Sequence, residues 1–200
     1  MHVEFLLEEP SSEEALKLLL PRLLPTDTSY ALHNLHDKQT LLKHLKNRLR
    51  GYAQWNVPDL RVVVLVDCDD DDCADLKRQM EEAALDAGLT TKTSAGGSAF
   101  VVLNRIAIEE LEAWFFGDME AIRTAYPRVP ASLGQQAKYR DPDAITGGTW
   151  EALEHVLQKQ GYHREGLAKL KAARDIAWHM DPSRNRSTSF KVFINGLAAM

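Results

Sequence analysis

The apolar positions of this chain alternate between two periods, and the changes of period mark its elements. Residues 60–66 are β-branched and leucine-rich, broken only by Arg61, and the run is short for a helix. Such a run predicts a strand covered on both faces, as in a parallel sheet. Residues 3–7 predict a first strand, and Pro10, Ser11, Ser12, Glu13 and Glu14 supply the capping and acidic residues of a helix start, with the helix itself over 13–23. Residues 29–35 carry a weaker strand pattern. Asp37 then caps a helix with Leu41, Leu42, Leu45 and Leu49 on one face and Lys43, Lys46, Arg48 and Arg50 on the other. A helix over 72–87 ends at Gly88, a C-cap glycine. Phe100 to Leu103 opens a last strand-like run to Ile108, where helical spacing takes over through Leu111, Trp114 and Phe115.

Strands alternating with helices in this way predict an α/β fold, a Rossmann-like, mainly parallel sheet flanked by helices. The second half differs. Pro127, Pro130, Gly134, Pro142 and the Gly147-Gly148 pair mark a loop-rich connection, followed by helices over 150–160, 165–180 and 187–199. The expected organisation is an α/β core over 1–125, with the connection and helices of 126–200 packed on the same domain.

Length and composition sharpen this picture only modestly. A chain of 200 residues that is 44% hydrophobic is large enough for one sizeable core. It starts without a basic n-region and has no stretch near the roughly 18 apolar residues that span a bilayer, so a soluble, cytoplasmic protein with no membrane partner is expected. Cys68 and Cys73, the two cysteines, make neither a disulfide framework nor a four-thiolate zinc site and are expected to be reduced structural thiols. The net charge of −5 is uneven: residues 1–100 hold 11 Lys and Arg against 17 Asp and Glu, whereas residues 155–200 hold 8 against 3.

The acidic excess is concentrated where it matters. Six of the nine residues from Asp67 to Asp75 are acidic, directly after the central strand. Ligands of parallel sheets bind at the carboxyl ends of strands, and carboxylates crowded there raise each other's pKa unless a cation neutralises them. Asp67 and Asp69 are therefore candidate ligands for a hard divalent ion, and Glu8, at the end of the first strand, is expected to face them across a crevice. An EF-hand is excluded, because Asp72 and Arg78 stand where its Gly and bidentate Glu belong. Asp71, Asp72 and Asp75 read as the acidic opening of the following helix. Glu109, Glu110 and Glu112 form a third acidic group, with Glu109 and Glu112 on one helical face, which by itself reads as a solvated acidic side. Arg184, Arg186 and Lys191 surround Ser187 and Ser189 at the start of the last helix, a combination suited to phosphate. The histidines show no ligand spacing, and neither a Walker-type loop nor a G-x-S-x-G elbow occurs.

Four segments taken together resemble the DUF4276 family, bacterial proteins without assigned activity that are regarded as Toprim-like. They are Leu7-Glu8-Glu9-Pro10-Ser11-Ser12-Glu13, the stretch from Val64 to Cys73, the stretch from Ile106 to Asp118, and Ser187-Thr188-Ser189-Phe190-Lys191. The Toprim pattern is a Glu after the first strand and an Asp-x-Asp after a later one, similar to Glu8 and Asp67-x-Asp69 here. It usually has Gly after the Glu, where this chain has Glu9. The resemblance implies Mg²⁺-dependent phosphodiester chemistry, with Mn²⁺ as a substitute, as in topoisomerases, primases and nucleases of the overcoming-lysogenization-defect type. On that basis Glu8, Asp67 and Asp69 are the expected catalytic and metal-binding residues, Glu110 and Glu112 complete a second metal site, and Arg184, Arg186, Ser189 and Lys191 hold phosphate on DNA or RNA. The alternative is a non-catalytic Toprim-like subunit that regulates a partner such as an ATPase, since members are often encoded beside ATPases.

Overall fold

The run at 60–66 lies in the interior of a four-stranded, all-parallel sheet. The computed structural model describes the whole chain, Met1–Met200. Its first half is β1 (His2–Leu7), α1 (Pro10–Leu23), β2 (Ser29–Asn34), α2 (Lys38–Ala53), β3 (Leu60–Asp67), α3 (Cys73–Leu85) and β4 (Val102–Ala107), with strand order β2-β1-β3-β4. The chain leaves β1 toward β2 and leaves β3 toward β4. The topological switch point, where ligands of open α/β sheets bind, therefore lies between β1 and β3.

Alternation along the strands divides the apolar side chains between two layers. Val3, Phe5, Leu7, Val63 and Leu65 pack with α1 and the C-terminal helices, while Leu6, Val62, Val64 and Val66 pack against Leu41, Leu45 and Leu49 of α2 and Leu76 and Met80 of α3. Glu4 interrupts the second face. It is buried at the amino end of β1, accepting hydrogen bonds from His2 Nε2 (2.7 Å), Tyr52 Oη (3.2 Å) and His33 Nε2. Burial alone raises the Glu4 carboxyl pKa, but the hydrogen bonds from His2 and His33 outweigh it and hold the group below its usual range.

The C-terminal half adds α4 (Glu112–Gly117), α5 (Met119–Ala125), three short 3₁₀ turns, α6 (Thr149–Lys159), α7 (Lys169–Ala177) and α8 (Thr188–Leu197). These helices join the α1 side of the sheet and enclose Trp114, Phe115, Phe116, Phe190 and Phe193 in one continuous core. Gly117 is needed for this docking, because a Cβ there would lie 2.0 Å from Asn185 Oδ1. No helix is long and apolar enough to cross a membrane.

Two local expectations change. Helix α4 begins at Glu112 rather than near Ile108, because Cys68 N and Asp69 N donate to the carbonyls of Ala107 and Glu109 (both 2.8 Å) and hold the chain extended past β4. Glu109 has φ of +58° and lies outside the helix, so Glu109 and Glu112 do not share a helical face. The second change concerns the cysteines, which are joined in a disulfide instead of standing as separate thiols. The turn from the end of β3 into α3 brings their Cα atoms to 5.8 Å, within bridging distance.

Candidate metal and phosphate site

At the switch point, Glu8 follows β1 and Asp67 closes β3, and both are buried. Asp67 N donates to Glu8 Oε2 at 2.9 Å, which ties the two strand ends together. Glu112, the first residue of α4, is only 1% exposed, and its Oε2 is buried without a hydrogen-bond partner. Burial chiefly raises the Glu8 carboxyl to about 7, with Asp69 and Glu9 adding to the rise against the Asp67 N–H and Lys38. Asp67 is pushed well above its ordinary value by burial and then by Glu8 and Glu112. Glu112 is raised to about 7, mainly by burial, with Lys169 opposing and Glu110 and Glu9 reinforcing. Three carboxyls that resist ionisation in one place indicate a shortage of positive charge. No three of them are drawn up at ligand distance around a common point.

Two lysines border this group, and the spacing of motifs gave no notice of either. Lys38 Nζ contacts Asp69 and Asp71 (both 2.7 Å) and the Cys68 carbonyl (3.1 Å). Burial lowers the Lys38 pKa, but Asp69 and Asp71 reverse the direction and raise it. Lys169 lies 3.7 Å from Glu9 Oε1 and 5.0 Å from the centre of the Trp150 ring. Its pKa is likewise raised, because Glu112, Glu9 and Glu110 outweigh its burial. Each lysine is the first residue of its helix, where the macrodipole disfavours a cation. For Lys38, directly after the Asp37 cap, that misplacement is a signal in the sequence; for Lys169 it is not, because the sequence predicts a helix from 165 and only the structure starts it at Lys169.

The expected ligands separate once they are placed. Glu8 and Asp67 come together as anticipated, but Asp69 is 45% exposed and its carboxylate turns to Lys38. Glu112 takes the buried position instead. Its reading as part of a solvated acidic side fails, because the helices of the second half cover it. Glu110 is not free to complete a second metal site through Oε2, which caps α6 by accepting from Thr149 N (2.8 Å), Thr149 Oγ1 (3.0 Å) and Trp150 N (2.9 Å). Asp72 caps α3 through Ala74 N and Asp75 N, which accounts for it structurally. Glu9 has φ of −114°, ordinary extended backbone, so the turn after Glu8 does not depend on Gly.

The start of α8 does not offer an open phosphate site. Asp143 already occupies it, its Oδ2 accepting from Ser189 N (3.0 Å) and Thr188 N and its Oδ1 from Ser187 Oγ (2.8 Å) and Ser189 Oγ (3.0 Å). Arg184 Nε is bound to buried Asp118 at 2.7 Å, and Arg186 donates to the Arg140 carbonyl. Lys191 is exposed and stands alone. The serines and Arg184 are consumed by carboxylates of the same chain, Asp143 and Asp118, more than forty residues earlier, and Arg186 by a backbone carbonyl.

The DUF4276 model, described as a domain of unknown function, matches residues 7–198. The chain belongs to the DUF4276 family. The match spans both the sheet and the C-terminal helices, so Glu8, Asp67, Glu112, Lys38 and Lys169 all lie within the DUF4276 region. No curated protein and no solved structure matches the chain.

Proposed function

We propose that the protein is a Mg²⁺-dependent phosphodiesterase with a Toprim-like site, acting on nucleic acid, with Mn²⁺ as a substitute ion. The observation that carries this reading is the burial of Glu8, Asp67 and Glu112 at the switch point, with raised pKa values and an unpartnered Glu112 Oε2. The donors are all carboxylate oxygens, the class that hard divalent ions take. Asp67 and Glu112 would hold the ion, which when bound would polarise a phosphoryl oxygen and stabilise the charge that develops on it.

The remaining groups supply positioning and proton transfer. Glu8 Oε2 is fixed by the Asp67 N–H, which leaves Oε1 to take a proton from the attacking water. A carboxyl near pH 7 is well matched to that task. Lys38 and Lys169, on either side of the carboxylates, would hold the phosphate, with Lys38 exchanging Asp69 and Asp71 for substrate oxygens. Labelled single- and double-stranded DNA and RNA incubated with Mg²⁺ or Mn²⁺, beside an Asp67→Asn Glu112→Gln variant, test the proposal. Metal-dependent cleavage confined to the wild-type protein is expected. Equal cleavage by both proteins, or none by either, would sink it.

A non-catalytic role in binding a partner such as an ATPase is favoured by one observation. Lys38 and Lys169 already lend the carboxylates positive charge without any added ion. On that reading Mg²⁺ leaves the thermal stability unchanged.

A further inference from the structure

The basic face of α2 is not absorbed by the carboxylate site. The helix Lys38–Ala53 contains no acidic residue and carries Lys38, Lys43, Lys46, Arg48 and Arg50. Lys38 faces Asp69 and Asp71, and Lys46 faces Asp86 at 2.5 Å, but Lys43, Arg48 and Arg50 have no carboxylate within ion-pair reach. Lys17, Arg78 and Arg123 are matched on their own helices by Glu13, Glu82 and Glu120, and where α6 and α8 leave an exposed cation unpaired it is a single one, Lys159 or Lys191, so three on one helix set α2 apart. Lys43, Asn47 and Arg50 are all exposed and, at spacings of four and three, share one row of the helix surface.

Two further residues extend this row in a way that plain solvation does not explain. Gly51 is exposed within the helix, has no positive φ and has nothing within 4 Å of where a Cβ would stand. Neither packing nor backbone geometry calls for glycine, which weakens an exposed helix relative to alanine and leaves a smooth surface for close backbone approach. Just past the helix, Trp55 is 48% exposed, its ring set against that of Tyr52 at 4.8 Å between centroids. Because Lys38 at the start of α2 stands at the carboxylate site and Tyr52 near its end reaches Glu4 at the opposite end of β1, the helix runs the length of the sheet, and its exposed face with it. At 1.5 Å per residue the helix is about 24 Å long.

We infer that the exposed face of α2, from Lys43 through Asn47, Arg48 and Arg50 to Gly51 and Trp55, is a track for single-stranded nucleic acid leading toward the carboxylate site at the amino end of the helix. Unmatched cations neutralise phosphates, Gly51 admits the backbone, and an unpaired base stacks on Trp55, the pairing of charge and aromatic surface that single strands need. A duplex would leave Trp55 without a base face to meet. This inference rests on the nucleic-acid reading above and adds the form of the substrate.

The test is fluorescence anisotropy with a short labelled single strand, as DNA and as RNA, and the matching duplex, in EDTA over a range of salt concentrations. Single strands are expected to bind more tightly than duplex. K43E/R48E/R50E should weaken single-strand binding at least about tenfold and reduce the slope of log K against log salt by about 2. Trp55→Ala should weaken it by about tenfold and leave that slope unchanged. All four positions are on the surface or its edge, and circular dichroism checks that the variants fold. Unchanged affinity in the triple variant, or no binding by the wild-type protein at low salt, overturns the track. A Trp55→Ala variant that binds like wild type overturns its single-strand character. Since EDTA removes divalent ions, binding is read apart from cleavage. A protein that binds through α2 without cutting contradicts the nuclease proposal alone, and one that cuts undiminished after charge reversal contradicts the track alone.

Discussion

Glu4 and Glu8 mark the two ends of β1, and both are buried, yet their environments drive their acidities in opposite directions. Glu4 is surrounded by donors, His2, His33 and Tyr52, and is held below its usual pKa despite burial. Glu8 meets one N–H and one lysine but also Asp69 and Glu9, and burial carries it to about 7. A buried carboxylate whose hydrogen-bonding capacity is filled belongs to the scaffold. One left among other carboxylates keeps its desolvation cost uncompensated, which marks it as a candidate functional group.

The strongest way to break this contrast is activity. Asp67→Asn or Glu112→Gln should reduce metal-dependent cleavage on the order of a thousandfold, while Glu4→Gln should leave it within a few-fold of wild type. Comparable losses at both ends of β1 in single-turnover assays would erase the distinction. Stability should respond the other way. Glu4→Ala strands two imidazoles and a phenol and should cost about 3–4 kcal/mol in urea unfolding at pH 7, whereas Glu8→Gln should gain about 3 kcal/mol at pH 8.

The same contrast appears in pH dependence. Glu4, with a lowered folded-state pKa, contributes stability above its usual 4.5 that is lost as the pH falls through the lower value. Glu8 and Glu112 favour the protonated form, so their contribution is full below 4.5 and disappears as the pH rises toward about 7. Unfolding free energies of wild type and Glu8→Gln should diverge between those limits, and parallel curves would contradict the assignment. At pH 8, saturating Mg²⁺ should raise the wild-type Tm by several degrees, at about 3 °C per kcal/mol, and should do so much less in Glu112→Gln.

The smallest effect concerns the acidic loop. Reduction of the Cys68–Cys73 disulfide, which closes a very short loop, should cost about 2 kcal/mol, measured by thermal unfolding of the wild-type protein with and without dithiothreitol, beside a Cys68→Ser Cys73→Ser variant that dithiothreitol should leave unchanged. Glu4, at the other end of the sheet, should keep its acid-limb behaviour in that variant.

Much of the framework could be read from the chain itself. The β-branched run of β3, the cap at Asp37 and the acidic opening of α3 are local signals, set by side-chain shape and nearby backbone donors. The position of Glu8 and Asp67 at strand ends followed from that framework together with the rule for parallel sheets. Glu112 was harder to interpret, because Glu109 and Glu110 just before it suggest a solvated acidic side and nothing nearby in sequence indicates that α6 and α7 pack against α4. The serines before α8 illustrate the opposite error. Their pattern suggests an anion site, and the anion is Asp143 of the same chain.

The sequence by itself determined the parallel α/β architecture, the placement of Glu8 and Asp67 at the carboxyl ends of β1 and β3, and the cationic composition of α2, since each depends on periodicity or on residues a few positions apart. Only the tertiary structure decided that Glu112 rather than Asp69 joins Glu8 and Asp67, that Lys38 and Lys169 border them, and that Glu4 is hydrogen-bonded by two histidines. The reason is electrostatic. The state of a carboxylate depends on burial and on charges within a few ångströms, and in this fold those neighbours come from elements many residues away.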